Sequence, residues 1–453
     1  MLPYSGASIT EIETEQLRRH LEERALNAKP SEVTAAALLS AILTTGRSAA
    51  TLATLPVVTG TGTVPRAPCL QIGDQWIWWL EPGRPESEQK FPLGHEPADA
   101  KRCDLVALPC STRTRRLLEQ MSTAPTPNYL LFPLQPVAVE GVVHREIRKA
   151  GVASSLRVVE SWLFQRLTEM PTGDAALAAI ITGNVPLIAR TVIHYTSICA
   201  PTAVGMLVEA LDGFDAFDPS FRIASDDRLG SRYAPPLEKV IDLLIRVRRP
   251  LLISRKRRKK PISAMHNAMT IYTVLFYLIA TCARPTRRML PSLDAIDPLT
   301  GYQILDDKPA SGNFKARLIW VSEDCQEQLR LYQAHLAAMR ERYPDLALPD
   351  EDGSPYLISD DGSLEVLDRR LFRRAMSAEG WAYPVNFARH FVRSELVGKV
   401  SSETLHAFFG HWHQGTEPWS EYAGLDPLAY RAELQNAIAL LCAKCGLEPK
   451  RGL

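Results

Sequence analysis

The run FARHFVRSELVGKVSSETLHAFFGHWHQGTEPWSEYAG, Phe387 to Gly424, gathers imidazoles, arginines and a tyrosine within one short length of chain. His390 and Arg393 stand three apart, so on a helix they share a face. Gly410-His411 follows, and then Tyr422 on a turn of small residues. Upstream, Arg284 closes an apolar stretch, and Lys308 lies in DDKPASGNFKARLIWV between two strand-like segments. Cutting a phosphodiester without a metal calls for these groups: a nucleophile, cationic donors for the non-bridging oxygens, and a proton donor for the leaving oxygen. Arginine suits the oxygens because its planar fork donates two parallel hydrogen bonds and stays charged. Taken singly, each residue reads equally well as a surface arginine, a core histidine or a packed tyrosine. The ordered set is what points to chemistry.

Groups so far apart in sequence need a scaffold that brings them together, and the chain reads as two similar copies, roughly residues 30–200 and 264–430. REIRKA (Arg145 to Ala150) matches RLFRRA (Arg370 to Ala375), and LFQR (Leu163 to Arg166) matches HFVR (His390 to Arg393). Arg166 to Gly183 and Arg393 to Gly410 are both 17 residues; Asn184 to Tyr195 and His411 to Tyr422 are both 11. Each copy opens with an apolar helix, passes through strand-like segments such as CLQIGDQWIWWLEP or KARLIWV, and ends in helices. The expected class is α+β, mainly helical. The expected division is an N-terminal domain over 1–200, a linker over 201–263 and a catalytic domain over 264–453.

The bulk numbers fit a chain of more than one domain: 453 residues, 46% hydrophobic, net charge +1. Eight scattered cysteines in no regular framework predict a reducing cytoplasm. The apolar run Met269 to Ala283 is short and dotted with threonine, so it is expected to be a buried helix, with no membrane segment. His406, His411 and His413 with Glu403 fit no closed zinc site, so no metal is expected. Cys442 and Cys445 read as a buried or incidental pair in a helical tail.

Local charge is more telling than the net value. Between Arg246 and Lys260 there are nine lysines and arginines and no acid. A solvated linker is the bland reading. A phosphate contact is the sharper one, with Arg255, Lys256, Arg257, Arg258, Lys259 and Lys260 displacing counterions from nucleic acid. LDRRLFRRAM adds a second patch through Arg369, Arg370, Arg373 and Arg374.

The second copy resembles the tyrosine recombinase (phage integrase) superfamily. The resemblance rests on Ala283-Arg284, Lys308 before GNFKARLIWVS, His390-Phe-Val-Arg393, Phe409-Gly410-His411 and Tyr422, in that order. It implies that Tyr422 attacks the scissile phosphate of double-stranded DNA to give a 3′-phosphotyrosyl link and a free 5′-hydroxyl. Arg284 and Arg393 would clamp the phosphate, Lys308 would protonate the leaving oxygen, and His390 and His411 would assist. Lys315 competes for the lysine role and Tyr430 for that of the nucleophile. The implied function is site-specific recombination or integration by a homo-oligomer on DNA, without cofactor, in the cytoplasm with the nucleoid. The alternative is a DNA-binding architectural or regulatory protein that keeps the fold without catalysis; a type IB topoisomerase is a lesser rival. The first copy carries Leu163 and Asn184 in place of His390 and His411, so it is expected to be catalytically silent.

Overall fold

A computed structural model describes residues 8–60, 64–85, 91, 97, 102–121, 130–132, 134, 136–223, 227–254, 262–286, 289–307, 316–346, 354–412, 417–419 and 423–453. Helices dominate and the sheets are small, as the sequence predicts. The chain divides into two compact units: Met1–Ser87 with Arg102–Ser231, and Glu88–Lys101 with Arg232–Leu453.

The first unit contains α1 (Glu11–Asn27), α2 (Pro30–Thr45), α3 (Ala49–Ala53), β1 (Val57–Thr59), β2 (Cys69–Ile72), β3 (Trp76–Leu80), β4 (Val106–Pro109), α4 (Thr112–Glu119), α5 (Pro136–Lys149), α6 (Leu156–Glu169), α7 (Ala175–Thr182), α8 (Leu187–Tyr195), β5 (Ser197–Cys199), α9 (Ala200–Ala210) and β6 (Arg228–Gly230). Strands β1 to β4 form one sheet in that order, with β1 parallel to β2 and the other pairs antiparallel. Helix α2 begins with a proline at its first turn, where no amide partner is lost, and is apolar on nearly all sides. It is therefore the core helix, buried continuously from Ala35 to Arg47.

The second unit contains α10 (Leu237–Ser254), α11 (Ile262–Thr281), β7 (Tyr302–Leu305), β8 (Arg317–Trp320), α12 (Glu323–Arg342), β9 (Tyr356–Ile358), β10 (Leu364–Val366), α13 (Arg369–Ala378), α14 (Phe387–Leu396), α15 (Ser402–Phe409) and α16 (Pro427–Cys445). β7 and β8 form an antiparallel hairpin that pairs Tyr302 with Trp320 and Leu305 with Arg317. Helix α11 is the central element, packed by α10, α12, α14, α16 and β9. It starts at Ile262, earlier than the apolar run marks. Its 20 residues are long and apolar enough, by length and composition alone, to cross a membrane. Here it is buried without a break from Ala268 to Thr281.

The described parts of 201–263 pack into the two units. Helix α9 packs on α6, α7 and β4, and β6 pairs with β5, so the chain to Ser231 belongs to the first unit. Helix α10 lies along α11 and belongs to the second. Turn-forming residues mark this stretch in the sequence, but apolar side chains such as Leu207, Val240 and Leu244 place it inside two cores. Both units share one order: a buried apolar helix, a small sheet, and then helices, of which α7 and α15 each end in a left-handed glycine.

Candidate functional site

Helix α11 ends in a turn that is costly for its residue. Cys282 adopts φ 54, a left-handed conformation seldom used by residues with a side chain. Its carbonyl is held by two buried guanidiniums, Arg317 Nη2 at 2.8 Å and Arg389 Nη1 at 2.8 Å. Two charge-assisted hydrogen bonds offset the strain and direct the chain toward Arg284 two residues on.

Arg389 ties three elements together. Besides Cys282 at the end of α11, its Nη2 donates to the Phe409 carbonyl at the end of α15 (2.8 Å) and to His411 Nε2 (3.3 Å). An arginine has no acceptor, so His411 Nε2 accepts, and the proton of a neutral His411 ring sits on Nδ1. Burial, then the charges of Arg389, Arg393, His406 and Arg284, push the His411 pKa well below its ordinary value. The ring is therefore neutral at pH 7. Arg389 and Arg393, four apart on α14, both lie over the Phe409 ring, at 5.2 and 5.6 Å. Gly410, at φ 66, turns the chain so that the His411 amide closes back on the His406 carbonyl at 2.9 Å.

Asp307, just beyond β7, is the carboxylate that meets this cluster among the described residues. Its Oδ2 accepts the Arg284 backbone N–H at 2.7 Å, and its Oδ1 accepts Arg284 Nη1 at 2.7 Å. Arg317 Nη2 also donates to Oδ2, at 3.1 Å, while Arg317 Nη1 donates to the Phe408 carbonyl. Burial alone would raise the Asp307 pKa; Arg317, Arg284 and Arg389 outweigh it and hold it down at about 2. The Arg284 side chain keeps 21% exposure, whereas Arg317, Arg389 and Arg393 are closed off from solvent.

Of the residues singled out in the sequence, Arg284, Arg393 and His411 thus meet in one place. His390 is fully buried on the same helix; its described contacts are Asn386 Nδ2 at 3.4 Å and the Tyr233 ring edge-on at 5.4 Å. Arg369 and Arg373 are exposed on α13, away from any described ion pair, while Arg374 meets Glu365 at 3.0 Å. Tyr430 is a core residue. It is fully buried, donates to the Leu318 carbonyl at 2.7 Å, and has its pKa pushed up by burial, so it does not suit the nucleophile's role. Lys308, Lys315, Tyr422, His413 and the run Arg255, Lys256, Arg257, Arg258, Lys259 and Lys260 lie outside the described residues. The chain on either side of Tyr422 is anchored to the second unit: Trp419 meets Tyr430 edge-on at 5.0 Å, and Tyr302 of the hairpin donates to the Pro427 carbonyl at 2.5 Å.

Arg389, Arg317 and Asp307 were not singled out. A search for an imidazole and an arginine three apart selects His390 and Arg393, but the face of α14 that meets the end of α15 carries the arginines four apart, Arg389 and Arg393. That spacing was the available signal. Among the described residues no group of histidines, cysteines and carboxylates could hold a metal ion. Cys442 and Cys445 are buried thiols on α16 whose pKa values burial raises to about 12.

The first unit has a partial counterpart. Arg47, just past α2, donates from Nη2 to the Ile181 carbonyl near the end of α7, at 3.0 Å. Its guanidinium lies so close to Gly183 that a Cβ there would sit 1.3 Å from Nη1. Burial lowers the Arg47 pKa to about 9, against the opposing charge of Glu81. Arg166, the sequence counterpart of Arg393, instead caps α9 through the carbonyls of Ala210 and Asp212. No protein-family model, curated protein or solved structure matches this chain.

Proposed function

We propose that the second unit cleaves and rejoins DNA as a tyrosine site-specific recombinase, with Tyr422 as nucleophile. The observation that carries the reading is the convergence of Arg284, Arg317, Arg389 and Arg393 on the ends of α11 and α15, beside a neutral histidine. A phosphodiester has the charge and the oxygen geometry that guanidiniums recognise. Arg284, partly open to solvent, is the donor best suited to meet it, and Arg389 ties the ends of α11 and α15 together beside it. His411 supplies a neutral N–H donor for a non-bridging oxygen.

In the reaction, the Tyr422 oxygen bonds to phosphorus as its proton leaves, the bond from phosphorus to the 5′-oxygen breaks, and Lys308 or Lys315 protonates that oxygen. The phosphotyrosyl bond stores the energy for rejoining. The test is a suicide substrate, a nicked duplex that traps the covalent intermediate, with mass spectrometry of the adduct. Tyr422→Phe should abolish the adduct and leave DNA binding nearly intact. DNA binding with no adduct from the unaltered protein would instead establish the non-catalytic reading. An adduct on any other residue would remove Tyr422 from its role.

A further inference from the structure

Asp307 is an unexpected occupant of a site meant for phosphate, since a carboxylate repels the ligand that the arginines attract. Its bonds suggest why it is there. Both of its oxygens are used on Arg284, one by the main chain and one by Nη1, so the side chain is fixed relative to its own backbone. Among the described residues, Nε and Nη2 of Arg284 meet no acceptor, and that edge belongs to the one guanidinium of the cluster with appreciable exposure. The carboxylate also holds Arg317, which in turn supports the strained Cys282 turn and the end of α15. In sequence, Asp307 directly precedes Lys308.

We propose that Asp307 is a positioning residue: it holds Arg284 with its Nε–Nη2 edge turned to a phosphodiester. The inference rests on the recombinase reading for its reaction but not for its binding consequence. An acid that only lowered the charge of the cluster would act equally on binding and chemistry. An acid that positions Arg284 separates the two. Its loss raises the local positive charge, so phosphate binds at least as well, yet the clamp is misplaced in the transition state.

The experiment compares Asp307→Asn, which keeps the shape and loses the charge, in the parent and in an Arg284→Ala background. Adduct formation is read on the nicked duplex, affinity by anisotropy with a short duplex and by calorimetry with inorganic phosphate. In the parent background, Asp307→Asn should slow adduct formation on the order of 100-fold, with duplex affinity unchanged or tighter. In the Arg284→Ala background it should slow it no further. A parallel fall in affinity and rate, or a full additional loss in the Arg284→Ala background, would overturn the proposal. If the unaltered protein forms no adduct, the recombinase reading fails separately, and phosphate calorimetry decides: Asp307→Asn must alter phosphate affinity more where Arg284 is present than in the Arg284→Ala background, and an equal effect in both would overturn the proposal. Should Asp307→Asn not fold, Asp307→Glu retains a charge for Arg317 while displacing the carboxylate from Arg284, and the same outcomes apply.

Discussion

Acid should loosen the second unit through a pair of buried histidines outside the arginine cluster. His266 on α11 and His335 on α12 are both fully buried. The Leu453 amide donates to His335 Nδ1 at 3.1 Å, so that nitrogen accepts; His335 Nε2–H then donates to His266 Nδ1 at 3.2 Å, and His266 Nε2–H to the Tyr356 carbonyl at 3.1 Å. Every ring nitrogen is used, and a further proton on either ring must break a link. The described side chains that face the pair are Tyr332 on α12, Thr270 on α11, and Tyr356, which feels Arg340. Burial lowers His266 from 6.5 to about 4, and burial and then His266 lower His335 from 6.5 to about 3.

With both folded pKa values below the unfolded one, the unfolded chain binds more protons. Stability is therefore full above the unfolded pKa and falls as pH drops below it. Between about pH 7.5 and about pH 5 linkage gives a loss of about 2 kcal/mol per ring, or about 4 kcal/mol for the pair. His335→Gln, whose amide retains a donor and an acceptor, should reduce the acid loss by about 2 kcal/mol. Urea unfolding at the two pH values measures this, with hydrogen exchange of α11 peptides assigning the transition to the second unit. An equal acid loss in parent and variant would refute the argument.

Arg284→Ala and Arg389→Ala should each slow adduct formation on the order of 100-fold or more, and Arg389→Lys should not rescue, because an ammonium cannot reach the Cys282 and Phe409 carbonyls and His411 together. Near-normal rates in either alanine variant would remove that residue from the clamp. Neutralising Arg255 to Lys260 should weaken binding about equally on specific and random duplexes and flatten the salt dependence; an unchanged salt slope would show that the run does not touch phosphates. Tyr195→Phe should leave adduct formation unchanged, since no lysine or histidine of the expected kind accompanies Tyr195 in the first copy; loss of the adduct in a folded variant would point to two working centres.

The sequence by itself determined the element types. The apolar character of α2 and α11 made them core helices, the aromatic and apolar run WIWWL made β3, and glycines after α7 and α15 ended those helices in a left-handed turn. These are local consequences of propensity and pattern. It also named Arg284, Arg393 and His411, because residue type and order survive without coordinates. Tertiary structure alone decided which arginine bridges. Arg389 looks ordinary in the chain, and only the packing of α14 against the ends of α11 and α15 brings it to Cys282, Phe409 and His411. Likewise Asp307 becomes the counter-charge of the cluster because the β7–β8 hairpin returns it to Arg284, 23 residues away. The unit boundary near Ser231 rests on the same kind of long-range contact: turn residues there resemble a linker locally, and the pairing of β6 with β5 makes them part of a core. Contacts between distant segments are set by how whole faces pack, and no window of sequence holds both sides of such a contact.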